Sequence, residues 1–175
     1  MRAGQKNTGP APLLVSVGAI ALFGLIGVLL VWLSGGPADD LEEKWSGYDI
    51  TIDQNCRPGP LDKKSAREDT AEYGSLHYLL NEAPFFPDCD TEGTVCFQSD
   101  KGNQHFVRIF YILDDGDEVY RSDMIPPDSH IQKAKLQKSL ADGVYPGVCR
   151  IELFDMNTLE SLGTLEEAII ITVQR

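Results

Sequence analysis

The hydrophobic pattern divides the chain at once. Residues 11–36 carry no charge, and residues 13–33 (LLVSVGAIALFGLIGVLLVWL) are apolar apart from Ser16 and three glycines. A helix rises about 1.5 Å per residue, so about 20 such residues cross a hydrocarbon layer of about 30 Å. Lipid offers backbone groups no hydrogen-bond partner, so a lone span has to be helical. The pattern predicts a transmembrane helix over residues 13–34, preceded by a cytoplasmic tail at 1–12. Arg2 and Lys6 precede the run, and Asp39, Asp40, Glu42 and Glu43 follow it. Positive charge stays on the cytoplasmic side, which places the remainder of the chain outside. Trp32 suits the outer interface. The rival reading is a cleavable signal peptide, whose apolar core of about 7–15 residues is shorter than this run. Pro37 also makes Gly36-Pro37-Ala38 a poor cleavage site.

Beyond the span the pattern changes to short alternating runs. Residues 35–44 read as a polar stalk. Tyr48, Ile50 and Ile52 alternate with polar neighbours, predicting a short strand over 45–53. Residues 56–72 (CRPGPLDKKSAREDTAE) form a polar insertion, read as a loop or loosely held helix. Residues 75–80 (SLHYLL) fit a strand or a helical turn, and residues 83–90 with two prolines fit a loop or an edge. Strands are predicted at 94–99, at 105–113 (HFVRIFYIL) and at 118–122, the last two joined by the turn Asp114-Asp115-Gly116-Asp117. Residues 124–129 (MIPPDS) form a proline-stiffened crossing to a strand at 131–136. In residues 144–154 one side carries Tyr145, Gly147, Cys149, Ile151 and Leu153, and the other Val148, Arg150 and Glu152. That is the period of a sheet with one dry face. Residues 155–163 read as a hairpin loop. A final strand is expected at 167–174, its consecutive isoleucines explained by burial on both faces. Several short strands with turns every eight to twelve residues predict an all-β sandwich or barrel over residues 45–175.

Charge narrows the partners. Two of the 15 basic residues precede the span and all 27 acidic residues follow it, so the outer part carries about −14. This disfavours nucleic acid and anionic lipid headgroups, which need a basic patch. Cys56, Cys89, Cys96 and Cys149 all lie in the outer part, and an even number in an oxidising compartment predicts two disulfides. No metal is expected. Cys89 and Cys96 are separated by six residues rather than the two to four of a zinc site, and His77, His105 and His130 stand apart. The acidic cluster Asp114, Asp115, Asp117 and Glu118 lacks a calcium-loop pattern. Gly-x-Ser-x-Gly, His-Glu-x-x-His, P-loop and Gly-x-Gly-x-x-Gly patterns are missing, so neither a catalytic residue nor a cofactor is predicted.

Residues 140–149 (LADGVYPGVC) add a specific cue. Immunoglobulin-like domains carry a similar Asp-Gly-x-Tyr corner, in which the tyrosine hydroxyl bonds back to the backbone. Asp142, Gly143 and Tyr145 would form that structural corner here. Cys149 follows Tyr145 by four residues rather than the two of antibody-type domains, and no tryptophan lies between Cys96 and Cys149. The segment also has Val-Tyr-Arg-Ser at 119–122, Ile-Pro-Pro at 125–127 and Leu-x-x-Gly-x-Tyr at 140–145. With the anchor layout, residues 94–175 resemble small uncharacterised single-span membrane proteins of Firmicutes-type bacteria with an external immunoglobulin-like domain. The resemblance implies an immunoglobulin- or fibronectin-like sandwich and a place at the cell envelope, and it brings no catalytic residue. On that fold two connectivities are sensible. Cys96 with Cys149 would join facing sheets and leave Cys56 with Cys89; alternatively Cys89 pairs with Cys96 and Cys56 with Cys149. The first is preferred.

Two functions fit these features. One is a non-catalytic external module, held in the membrane by residues 13–34, that binds a protein or glycan of the envelope. The other is an accessory or sensor subunit of a membrane complex. An enzyme with a scattered site is the least favoured. The chain is expected to resist an alkaline carbonate wash of membranes and to leave only with detergent; release by carbonate alone would contradict the anchor.

Overall fold

The computed structural model describes residues 37–62, 69–73, 76–88 and 90–175. The expected span and tail, and Cys89, lie outside these residues. Among the described residues no helix is long and apolar enough to cross a membrane. What is described is one short helix and ten strands: α1 (Pro37–Trp45), β1 (Cys56–Pro58), β2 (Asp69–Tyr73), β3 (Leu76–Leu80), β4 (Phe85–Phe86), β5 (Gly93–Ser99), β6 (His105–Leu113), β7 (Glu118–Arg121), β8 (Ser129–Ala134), β9 (Gly143–Asp155) and β10 (Ser161–Val173). The all-β expectation holds, in the form of a curled mixed sheet.

The sheet runs β1-β8-β5-β4-β10-β9-β6-β7, with β3 pairing both β5 and β2. Its backbone is the antiparallel triple β6-β9-β10. In register, Ile109 faces Ile151 and Ile151 faces Leu165, while Tyr111 faces Cys149. All of these inward side chains are buried. The alternation of Cys149, Ile151 and Leu153 against half-buried Val148, Arg150 and Glu152 is what the residue pattern dictates. Gly147 belongs to the same inward set for another reason. A Cβ there would stand 2.3 Å from the Ile112 carbonyl oxygen, so only glycine lets β9 lie this close to β6.

The sheet curls until strands far apart in its order touch. The Tyr111 hydroxyl on β6 donates to the Val95 carbonyl on β5 at 3.3 Å, and the Tyr78 hydroxyl on β3 donates to Glu167 Oε1 on β10 at 2.8 Å. Two-residue β4 closes the remaining gap, parallel to β10 and antiparallel to β5. Phe86 on it is fully buried, and it packs where a Cβ on Gly93 would stand, 2.2 Å from the ring.

One segment carries the chain between distant parts of the sheet. Beyond Arg121 the β7 line continues along β6: Ser122 and Ile109 exchange bonds through the Ser122 backbone and hydroxyl, and Val107 and Ile125 bond in both directions. Buried Pro126 and Pro127 then turn the chain, and β8 emerges beside β1 and β5. The crossing predicted from Ile-Pro-Pro is therefore present, though its first half is strand-like.

Four local expectations need correction. The stretch read as a polar stalk is helical from Pro37, because Leu41 is buried in the core and Trp45 sets its ring edge-on to Phe106 at 5.3 Å. The strand expected at 45–53 reduces to a single bridge at Ile52, since Tyr48 is drawn onto Phe106 as well. The polar insertion contributes two strands, β1 and β2, whose partners β8 and β3 lie far from or just after it in sequence. The isoleucines near the end are not buried on both faces: Ile169 and Ile171 are 2% and 0% exposed, whereas Ile170 is 53% exposed. β10 also begins at Ser161, well before residue 167, because the equally long β9 pairs the added residues apart from Leu162, which sits in a bulge.

Gly147→Ala is expected to destabilise the chain by about 1–3 kcal/mol, since the clash is with backbone rather than with a movable side chain. A chemical denaturation midpoint unchanged from the parent would contradict the close approach of β9 and β6.

Candidate functional site

Among the described residues neither Cys96 nor Cys56 is bridged to Cys149. The cause is a bulge in β5. Between Thr94 and Phe97 the register shifts, and Cys96 takes a left-handed backbone conformation at φ 48°. Val95 and Phe97 both enter the core, and the Cys96 thiol turns instead to the Gln132 carbonyl at 3.6 Å. Cys149 stays inward on β9 and is fully buried. The Cys56 thiol donates to the Ser129 hydroxyl at 3.3 Å, which also removes it from the alternative bridge to Cys149. Pairings with Cys89 fall outside the described residues. Burial pushes the Cys56 thiol up to about 12, with Ser129 opposing and Asp53 adding to the shift, and burial pushes Cys149 up as well. Neither is a nucleophile near neutral pH.

The corner residues stand together at the start of β9. The Tyr145 hydroxyl donates to the Ala141 carbonyl at 2.9 Å, and its ring folds over Gly143, whose Cβ position would lie 3.2 Å away. Asp142 is exposed in the turn before it.

The polar groups are mostly consumed in holding turns. Asp155 accepts from the backbone of Thr158 and Asn157, which keeps its carboxyl below the usual range. A lowered folded-state value means that its contribution to stability is present above that range and is lost as pH falls through it. Asp117 pairs with Lys138, and Glu118 with Arg121 at 2.9 Å. Among the described residues no group of three or more acidic, histidine or cysteine side chains converges to hold a metal ion.

A cavity of about 500 Å³ opens between the segment 53–55, the end of β7 and residues 135–137. Its buried acid, Asp53, already accepts from the Asn55 N–H at 2.7 Å and the Asp123 N–H at 3.0 Å. The carboxylate thus ties two chain segments together rather than facing a substrate. Beside it the buried Tyr120 hydroxyl has no hydrogen-bond partner among the described residues, and burial together with the Asp53 charge pushes its ionisation up.

The most distinctive surface lies on the outer face of β4, β10 and β9. Register places Phe85 beside Thr172 and Thr172 beside Val144, then Ile170 beside Pro146 in the next row. Phe85, Ile170 and Val144 are 41%, 53% and 65% exposed. The rows continue through Ala168 and Val148 to Ile112 on β6. Farther along the same face the chemistry reverses: Arg150 Nε meets Glu166 Oε1 at 2.9 Å, and Arg108 stands opposite Glu152. One sheet face is therefore apolar at one end and charged at the other. Contiguous exposed apolar surface of this kind marks contact sites. The residue alternation around Val144 and Ile170 carried the signal, but reading Ile170 as buried concealed it.

No family model and no curated protein matches the chain.

Iodoacetamide at about pH 8 is expected to spare Cys56 and Cys149 in the native chain and to label both after denaturation without reductant. Failure to label after denaturation alone would restore a disulfide.

Proposed function

We propose that the chain is a membrane-anchored, extracytoplasmic, non-catalytic module that binds another protein at the cell envelope through the outer face of β4, β10 and β9. The observation that carries this reading is the contiguous apolar surface around Phe85, Val144 and Ile170 on a chain that is otherwise strongly acidic. Burying a side chain such as Val, Ile or Phe stabilises by about 1.5–3 kcal/mol, so three or four at the centre of a contact supply much of a binding free energy. The apolar character favours a protein over a glycan, and the acidic balance argues against nucleic acid.

The anchor at residues 13–34 rests on its length and lack of charge, and the topology on Arg2 and Lys6 before it and the acids after it. The finer fold we propose is an immunoglobulin- or fibronectin-like sandwich. Contact between β5 and β6 through Tyr111 and Val95, and the Tyr145 bond at the start of β9, support it. The absence of bridges among the three described cysteines departs from the antibody type.

The test places a photo-cross-linking residue at Val144 in the full chain in its native membranes. A discrete adduct is expected, and Ile170→Glu should remove it while shifting stability by less than about 0.5 kcal/mol, because Ile170 lies outside the core. No adduct, or an adduct indifferent to Ile170→Glu, would overturn the reading.

A further inference from the structure

Strand β10 is paired without a break from Gly163 to Val173 on one edge only. On the other edge its backbone is met near the C-terminal end alone, where the N–H groups of Ile170, Thr172 and Gln174 donate to the carbonyls of Glu82, Pro84 and Phe86 at 2.8, 2.9 and 3.1 Å. From Ser161 to Ala168 no described strand lies on that edge. Groups that point to one edge recur every second residue, so the same direction is taken by Ala168, Glu166 and Thr164. Their side chains are exposed. An open edge of this kind is a template for a further strand.

Sequence usually blunts such edges with lysine, proline or a bulge. Here the bulge sits at the far end, between Ser161 and Gly163, and the stretch has neither lysine nor proline. Its charges are acidic: Glu160 is exposed, Glu166 is exposed and meets Arg150 on its β9 side through Oε1, and Glu167 is held by the Tyr78 hydroxyl. At Ala168 the edge runs directly into the apolar surface around Ile170.

We infer that the open edge of β10, from Thr164 to Ala168, receives an extended segment of another polypeptide as an added strand. The segment carries basic side chains opposite Glu166 and apolar ones beside Ala168 and Ile170. Backbone bonds supply the attachment and alternate side chains the selectivity, as in other strand-addition contacts. The inference rests on the reading that this face binds a protein, and it states how. A second copy of the chain fits poorly, since two such edges would set glutamates against each other and like charges opposed across a ladder destabilise it.

The experiment measures amide hydrogen exchange on the full chain in lipid nanodiscs with a nine-residue alternating Lys–Val peptide, and with its Glu–Val counterpart. The basic peptide should slow exchange at Glu166 and Ala168 by about tenfold or more, and the acidic one should not. Ala168→Pro removes an N–H that β9 does not use, so it should abolish the slowing while protection at Ile171 persists. As a second variant, Glu166→Lys should reverse the preference between the peptides. Unchanged exchange at Glu166 and Ala168, equal slowing by both peptides, or slowing that survives Ala168→Pro would overturn the inference. If the edge amides stay silent while the Val144 adduct remains, strand addition fails and the protein-binding reading stands; loss of both removes both.

Discussion

The long ladder between β9 and β10 is the constraint on which the rest depends. Paired without a break from Gly163 to Val173, it fixes which side chain of each strand faces inward, and a slip of one residue would turn both sets around. Its inner face supplies Cys149, Ile151, Leu165, Ile169 and Ile171 to the core. The same pairing obliges Val144, Pro146, Ala168 and Ile170 to face outward, so the apolar outer surface follows from the same register as the core. Polar side chains at those positions would satisfy the ladder equally well, which is why their apolar character points to a contact rather than to folding.

Around that ladder the remaining elements act as closures. Tyr111 reaches Val95, Tyr78 reaches Glu167, and Phe86 occupies the space that Gly93 leaves open. The two tyrosines join strands that are not neighbours in the sheet, and Phe86 fits the neighbouring pair β4 and β5 closely together. A hydrogen bond contributes only about 0.5–1.5 kcal/mol net between neutral groups and about 1.5–3 kcal/mol to a carboxylate, so the curl is held chiefly by the buried rings and aliphatic side chains, with the hydroxyl bonds fixing its register. The bulge at Cys96 belongs to the same group of devices. It admits both Val95 and Phe97 to the core and sends the thiol to Gln132.

Strands with their own alternation were legible from the residues: β5, β6, β7 and β9 fall where period-two runs and the Asp-Asp-Gly-Asp turn place them. What was not legible depends on partners distant in sequence. β1 and β4 are three and two residues long and exist only because β8, β5 and β10 offer edges to them. α1 has a polar sequence with one buried leucine, and its docking is decided by Leu41 and Trp45 meeting the core. The run of three isoleucines was ambiguous because a strand buried on both faces and a strand with one exposed apolar position read alike. That ambiguity hid the candidate site. The preferred pairing of Cys96 with Cys149 came from the likeness to immunoglobulin-like domains, and the bulge that turns Cys96 to Gln132 leaves no mark in the residue pattern.

In the proposed function an apolar patch, a strand edge and an acidic surround form one contact surface. The central claim is that Ile170 faces solvent between two core isoleucines. The most direct measurement is methyl NMR of the full chain in nanodiscs with a soluble gadolinium chelate. The account predicts strong relaxation of the Ile170 methyls while those of Ile169 and Ile171 are spared. Equal protection of all three would contradict it, because the outer face would then be covered within the protein itself.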